Sequence, residues 1–423
     1  MWQMNTEDSR PISFPPIHGH GVIGDRRTGA MVAADGTLNW FCVPNFDSPP
    51  IFGTLLDPED GGFCRFGPTR ASLGRQRYLS ETAAVVTSWR SAAQESGAFE
   101  LTDVMAWPGD ERPESARDQR IIVRRLHARE AGVARFEVRP RWEFGGGPEE
   151  VRARPYDAIF RFAVGQLAVW TSFPVRIEGD TAVADLTIGL GDELWAVIGW
   201  NSQPDDWTRE RAAEAFEAAL SYWHDWSANL KVDAAEPGAA SLKRSAITVH
   251  LLSHAEHDAA TAALTSSLPE RIGGDRNYDY RFAWVRDASL SLALLARLVK
   301  SMKWNAILTG FAVLIQLPTL RCRFVTALTV APGWNRWNCL QYAVTRIAGR
   351  YALVIVPPSN VSSVHWPFLP TAREFTSRVA DRCGTNTGNC CDARLTILAL
   401  IGICPRAAFG NSPWKPITLR VRS

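Results

Sequence analysis

The sequence predicts a β-sandwich over about its first 230 residues, followed by a helical domain. Three observations carry this: strand-like alternation between turn clusters, a switch to helical spacing after a Pro-Gly linker, and a length of 423 residues, room for two or three domains. The clearest strand signal runs from Phe136 to Phe144. There Phe136, Val138, Pro140, Trp142 and Phe144 alternate with Glu137, Arg139, Arg141 and Glu143, so the apolar set is expected on one face. Pro140 has no N–H to give to a ladder and so points to an edge strand. Ala184, Leu186, Ile188 and Leu190 repeat the period, and Val175 and Ile177 sit on a shorter piece. Gly145-Gly146-Gly147-Pro148 and Gly179-Asp180 separate these runs as turns. The linker is Ala234-Ala235-Glu236-Pro237-Gly238. Beyond it, Leu242, Ala246, Val249 and Leu252 fall on one face of a helix, and Ala288, Leu292, Leu295 and Val299 on a face of another. Asp287 stands where its carboxylate can cap the second helix.

A composition of 46% hydrophobic and 21% charged residues excludes a collagenous, coiled-coil or wholly disordered chain. No run of about 18 uninterrupted apolar residues occurs, and the opening MWQMNTEDSRPISFPPI lacks a basic stretch leading into an apolar one. A cytoplasmic protein with no membrane partner is the expectation. The net charge of +2 conceals a split near residue 300. Beyond it only Glu374, Asp381 and Asp392 are acidic, against 14 Lys and Arg. Six of the eight cysteines also lie there: Cys322, Cys339, Cys383, Cys390, Cys391 and Cys404. Their spacing is not that of a zinc site, and no phosphate loop or nucleophile elbow is present, so neither cofactor, metal nor nucleic acid is expected.

Chemistry concentrates between the two helices, in SLPERIGGDRNYDYRFAWVRDA from Ser267 to Ala288. Aromatic rings stack on the apolar faces of a pyranose, and a guanidinium or carboxylate fixes two hydroxyls at once, so this mixture suits sugar recognition. Residue types alone also allow a solvated loop with a local Arg286/Asp287 ion pair.

The order of these residues resembles the signature of glycoside hydrolase family 15, the glucoamylase and bacterial trehalase family. Tyr278 stands where the family has Trp, and Phe282 where it has Tyr. The segment from Phe14 to Phe63 independently resembles the family's trehalase-like N-terminal domain, through the Asp35-Gly36 turn, Trp40-x-Cys42 and Phe46-Asp47-Ser48-Pro49. The resemblance covers about residues 14–298. It implies a trehalase-like N-terminal β-sandwich domain at 1–233 and an all-α (α/α)6-toroid domain beginning at 238–300. The implied substrate is a glucoside, trehalose or an α-1,4-glucan end, hydrolysed with inversion. Arg286 and Asp287 would bind its hydroxyls, with Tyr280 and Trp284 walling the subsite, while Trp40 and Asp47 would be structural.

Inversion needs a general acid and a general base far enough apart to admit a water. No segment here matches the family's two catalytic glutamates, so the catalytic residues are left unassigned, and Glu374 reads as a surface charge. Twelve helices of about 12 residues with about 5-residue connections need roughly 200 residues, more than residues 238–423 supply. The toroid is therefore expected to be incomplete, with residues 301–423 an unmatched basic tail translated out of frame. The alternative function is a catalytically incomplete sugar-binding or relic protein.

Overall fold

The computed structural model describes residues 11–90, 98–108, 117–233, 235–255, 260–267, 271, 273, 276–282, 284–299, 341–347 and 350–356. The basic tail's cysteines and its three acids lie outside these residues. The first half of the chain contributes β1 (His20–Gly24), β2 (Gly29–Ala33), β3 (Thr37–Cys42), β4 (Pro50–Phe52), β5 (Phe63–Pro68), β6 (Arg75–Tyr78), β7 (Val85–Trp89) and β8 (Phe99–Met105). There follow β9 (Arg120–Ala128), β10 (Gly132–Arg139), β11 (Glu150–Arg154), β12 (Asp157–Phe162), β13 (Gly165–Thr171), β14 (Arg176–Glu178), β15 (Thr181–Ile188) and β16 (Glu193–Trp200). They form two eight-stranded antiparallel sheets. One runs β1-β2-β3-β5-β10-β15-β14 with β4 on β3, and the other β11-β12-β13-β16-β9-β8-β7-β6.

Between the sheets lies a core of Phe41, Phe52, Phe66, Phe99, Phe136, Phe160 and Trp200, joined by aliphatic neighbours. Phe66 and Phe136 meet edge to face at 5.3 Å, a favoured arrangement for aromatic pairs. The middle of the second sheet is buried on both faces. In β9 and β16, Ile122, Leu126, Ala196 and Ile198 face the sandwich core, whereas Ile121, Val123, Trp195 and Val197 face outward. That outer layer is covered by α1 (Arg209–Ala228), capped by the Thr208 hydroxyl, which accepts from the Arg211 N–H at 3.3 Å. Ala212, Ala215, Phe216, Ala219 and Trp223 form its buried stripe.

Two sequence expectations change in detail. Strand β10 ends at Arg139, and Phe136 and Val138 face the core, but β10 lies between β5 and β15 rather than at an edge. Pro140 falls just past the ladder, where a missing N–H costs nothing. Beyond it Trp142 stacks on Trp200 at 5.4 Å, while Phe144 is exposed in a turn with φ +63°. Leu190 likewise lies outside β15, exposed.

The expected all-α toroid is overturned. Among the described residues the chain is mostly β-sheet, and α2 (Ala239–Leu251) belongs to the same compact unit as the sandwich, Met1–Phe282 with Arg297–Ser301. Its buried residues Ala246, Ile247 and Leu251 belong to that unit, where Ile247 and Leu251 pack with Ala83 and Trp223 rather than with a ring of helices. The other unit is Ala283–Ala296 with Met302–Ser423. Its described parts are most of α3 (Val285–Leu298) and a hairpin of β17 (Gln341–Ile347) on β18 (Arg350–Val356). No helix among the described residues is long and apolar enough to cross a membrane.

Candidate functional site

The site is built from the outer face of β3 upward. Trp40 and Cys42 share that face and pack with Phe46 and Leu264, all buried. The Trp40 indole N–H donates to the Leu264 carbonyl at 3.0 Å. This ties β3 to the segment 260–267, which in turn pairs with 278–282. The Ser267 N–H donates to the Tyr278 carbonyl at 2.7 Å, Ala263 to Tyr280 at 2.9 Å and Ala262 to Phe282 at 3.0 Å.

Residues 278–282 of the signature thus lie extended along the segment 260–267. In an extended chain alternate residues share a face. Asp279 and Arg281 are paired with each other, and the Tyr278 and Tyr280 rings lie 6.3 Å apart. Arg281 is the anchor. Its guanidinium bonds both oxygens of Asp279 (2.7 Å from Nη2 to Oδ2), donates to the Ser48 carbonyl at 2.6 Å and reaches Cys42 Sγ at 3.3 Å. It also lies 5.8 Å from the Trp40 ring centroid. Burial works against the Arg281 charge, but Asp279 and Cys42 outweigh it and hold its pKa above the ordinary guanidinium value. Burial pushes the Cys42 thiol up to about 12 despite Arg281, so Cys42 is an uncharged partner.

The loop Val43–Ser48 is pinned from its other side by Arg120. Arg120 Nε donates to the Pro44 carbonyl at 2.5 Å and Nη1 to the Arg117 and Gln119 carbonyls at 3.0 and 2.7 Å. Asp25, fully buried, stands 3.9 Å from Arg120 and accepts from the Arg27 and Thr28 N–H groups, each at 2.9 Å. Phe46 N–H donates to the Arg27 carbonyl at 2.9 Å, which closes the hairpin turn onto the loop. Pro44, Asn45, Arg117, Asp118 and Arg120 line an open depression of about 470 Å³ beside it. Among the described residues no three His, Cys, Asp or Glu side chains are grouped so as to hold a metal ion.

Of the sequence-predicted residues, Tyr280 is half-buried in the sandwich unit, its ring 6.3 Å from Tyr278 and nearly perpendicular to it. Trp284, Arg286 and Asp287 belong to the other unit, the latter two in the first turn of α3, with Trp284 and Asp287 half-buried. Trp40 is fully buried and Asp47 is buried in the pinned loop. Sequence reading missed Arg281, Arg120 and Asp25. For Arg281 a signal existed: Asp279-x-Arg281 alternating with Tyr278, Tyr280 and Phe282 is a strand period.

Comparison with known proteins finds similarity to trehalases. Residues 11–159 match the family model described as trehalase-like, N-terminal. The chain is 30% identical over 312 residues to a trehalase of Mycobacterium tuberculosis, covering 68% of this chain and 45% of that protein. It is 29% identical over 298 residues to a trehalase of Mycolicibacterium smegmatis, covering 66% and 44%. A trehalase of Thermoplasma volcanium is 25% identical over 291 residues, covering 67% and 45%. The chain spans less than half the length of these relatives.

Proposed function

We propose that this protein is a glycoside hydrolase of the trehalase type, acting on trehalose and belonging to glycoside hydrolase family 15. The observation that carries the reading is the run of trehalase similarity over about two thirds of the chain, joined to a trehalase-like N-terminal match at residues 11–159. In this reading the glucoside ring lies against Tyr280 and Trp284, whose faces exclude water from it. Arg286 donates its fork of N–H groups to adjacent hydroxyls, and Asp287 accepts from them. Hydrolysis proceeds with inversion: one carboxylic acid protonates the glycosidic oxygen while a carboxylate opposite it takes a proton from the attacking water.

A second reading is favoured by one specific observation. Residues 301–423 hold only Glu374, Asp381 and Asp392 as acids, so a pair of positioned carboxylates has few candidates there. The chain would then bind a glucoside without turning it over. Positioned acid or base help is worth about 10²–10⁴-fold per group, so the two readings differ by orders of magnitude in rate. Glucose release from trehalose and maltose, measured beside a binding titration on the full chain, separates them. Release from trehalose supports hydrolysis; binding without release supports the second reading; neither binding nor release refutes both.

A further inference from the structure

We propose that Arg281 is a positioning residue: it docks the segment 278–282 onto β3 and the Val43–Ser48 loop and so fixes Tyr280, the residue beside it, where a sugar ring would lie. The inference rests on the proposed glucoside reading for its ligand, but on geometry for the docking.

Three features set Arg281 apart from an ordinary surface arginine. Its side chain is only 12% exposed although it sits three residues from Tyr278, which is half exposed. Its partners come from three places in the chain: Asp279 on its own strand, Cys42 on β3 and the Ser48 carbonyl at the end of the pinned loop. The bond to Asp279 is bidentate, with Nε 2.9 Å from Oδ1 and Nη2 2.7 Å from Oδ2, which fixes the plane of the guanidinium as well as its position. A lysine ammonium at this place supplies one point charge and no plane.

The alternation of the strand turns this anchoring into positioning. Tyr280 stands between the two members of the fork, and its carbonyl accepts from the Ala263 N–H at 2.9 Å, so its backbone cannot turn without breaking one or the other. Pre-setting an aromatic wall removes an ordering cost that a ligand would otherwise meet.

The test uses the full chain with Arg281→Met, Arg281→Lys and Asp279→Asn. Trehalose affinity is read by titration, docking by the rate of iodoacetamide labelling of Cys42 in mapped peptides, and folding by the urea midpoint. Arg281→Met is expected to speed Cys42 labelling at least tenfold and to weaken trehalose binding at least tenfold, with the urea midpoint little changed. Asp279→Asn should move both readouts in the same direction by less, and Arg281→Lys should recover part of the Cys42 protection. Unchanged Cys42 labelling in Arg281→Met overturns the docking claim. Faster labelling with unchanged trehalose affinity overturns the positioning claim. Wild-type chain that binds no trehalose overturns the glucoside reading and the positioning role with it, while the labelling rate still decides the docking.

Discussion

The buried pair of Arg124 and Asp103 offers a sharp test of how the sandwich is held together. Both side chains are fully buried between the sheets, Nε 2.7 Å from Oδ1 and Nη2 3.2 Å from Oδ2. Arg124 also donates to the Cys64 carbonyl at 2.9 Å and the Gly36 carbonyl at 2.7 Å, so one residue of the second sheet stitches two points of the first. Burial works against the Arg124 charge, and Asp103 with Cys64 outweighs it, so the guanidinium keeps its proton. Asp103→Asn preserves shape but leaves that charge without a counter-charge. Breaking one partner of such a pair costs about 3–5 kcal/mol, two to nearly four powers of ten in the folding equilibrium at about 1.4 kcal/mol per tenfold. With a urea slope of about 1–3 kcal/mol per M, the midpoint followed by tryptophan fluorescence should fall by more than about 1 M. The double variant Asp103→Leu/Arg124→Met removes both charges and should recover most of the loss. A shift under about 0.3 M for Asp103→Asn, or a double variant worse than the single, would refute the reasoning.

Two further outcomes follow from particular residues. His250 stacks on Trp226 at 4.2 Å with its Nε2 3.0 Å from the Tyr222 hydroxyl, and although part of the residue reaches solvent its ring lies among these aromatics. Burial, with Arg26 adding to it, holds the imidazole well below its ordinary range near 6.5. The unfolded chain then binds a proton that the folded chain does not. Stability should therefore fall as pH drops below about 6.5, by up to about 1.4 kcal/mol per unit; urea midpoints between pH 7 and 5 should show this slope, and His250→Gln should remove it. Gly36 has φ +82°, and a Cβ there would stand 2.2 Å from the Phe66 carbonyl oxygen. Gly36→Ala should cost more than about 1 kcal/mol through the left-handed backbone alone, read as a lower urea midpoint.

The sandwich was legible in the sequence because half-buried strands alternate, as Phe136 and Val138 do, and because Asp35-Gly36 demands a tight turn. Strands buried on both faces hid this signal: β16, Glu-Leu-Trp-Ala-Val-Ile-Gly-Trp, reads as an apolar run since Trp195 meets α1 while Ile198 meets the core. Helix α1 was missed because its stripe is mostly alanine, Ala212, Ala215 and Ala219, which carries little hydrophobic contrast. The toroid expectation came from resemblance, and α2 packs instead into the sandwich unit. Charges inside the fold, Arg124 and Arg281 above all, could not be placed by residue type, because only strand register sends them inward.

The most direct test of the account is a trehalose titration of the full chain beside Asp287→Ala. Asp287 in the proposed site accepts from sugar hydroxyls, and losing such a charged acceptor costs about 1–3 kcal/mol, roughly a 5- to 150-fold weaker Kd at about 1.4 kcal/mol per tenfold. The account predicts saturable trehalose binding by the wild-type chain, weakened within that range by the substitution. Equal affinity in the two proteins, or no trehalose binding by the wild type, would contradict it.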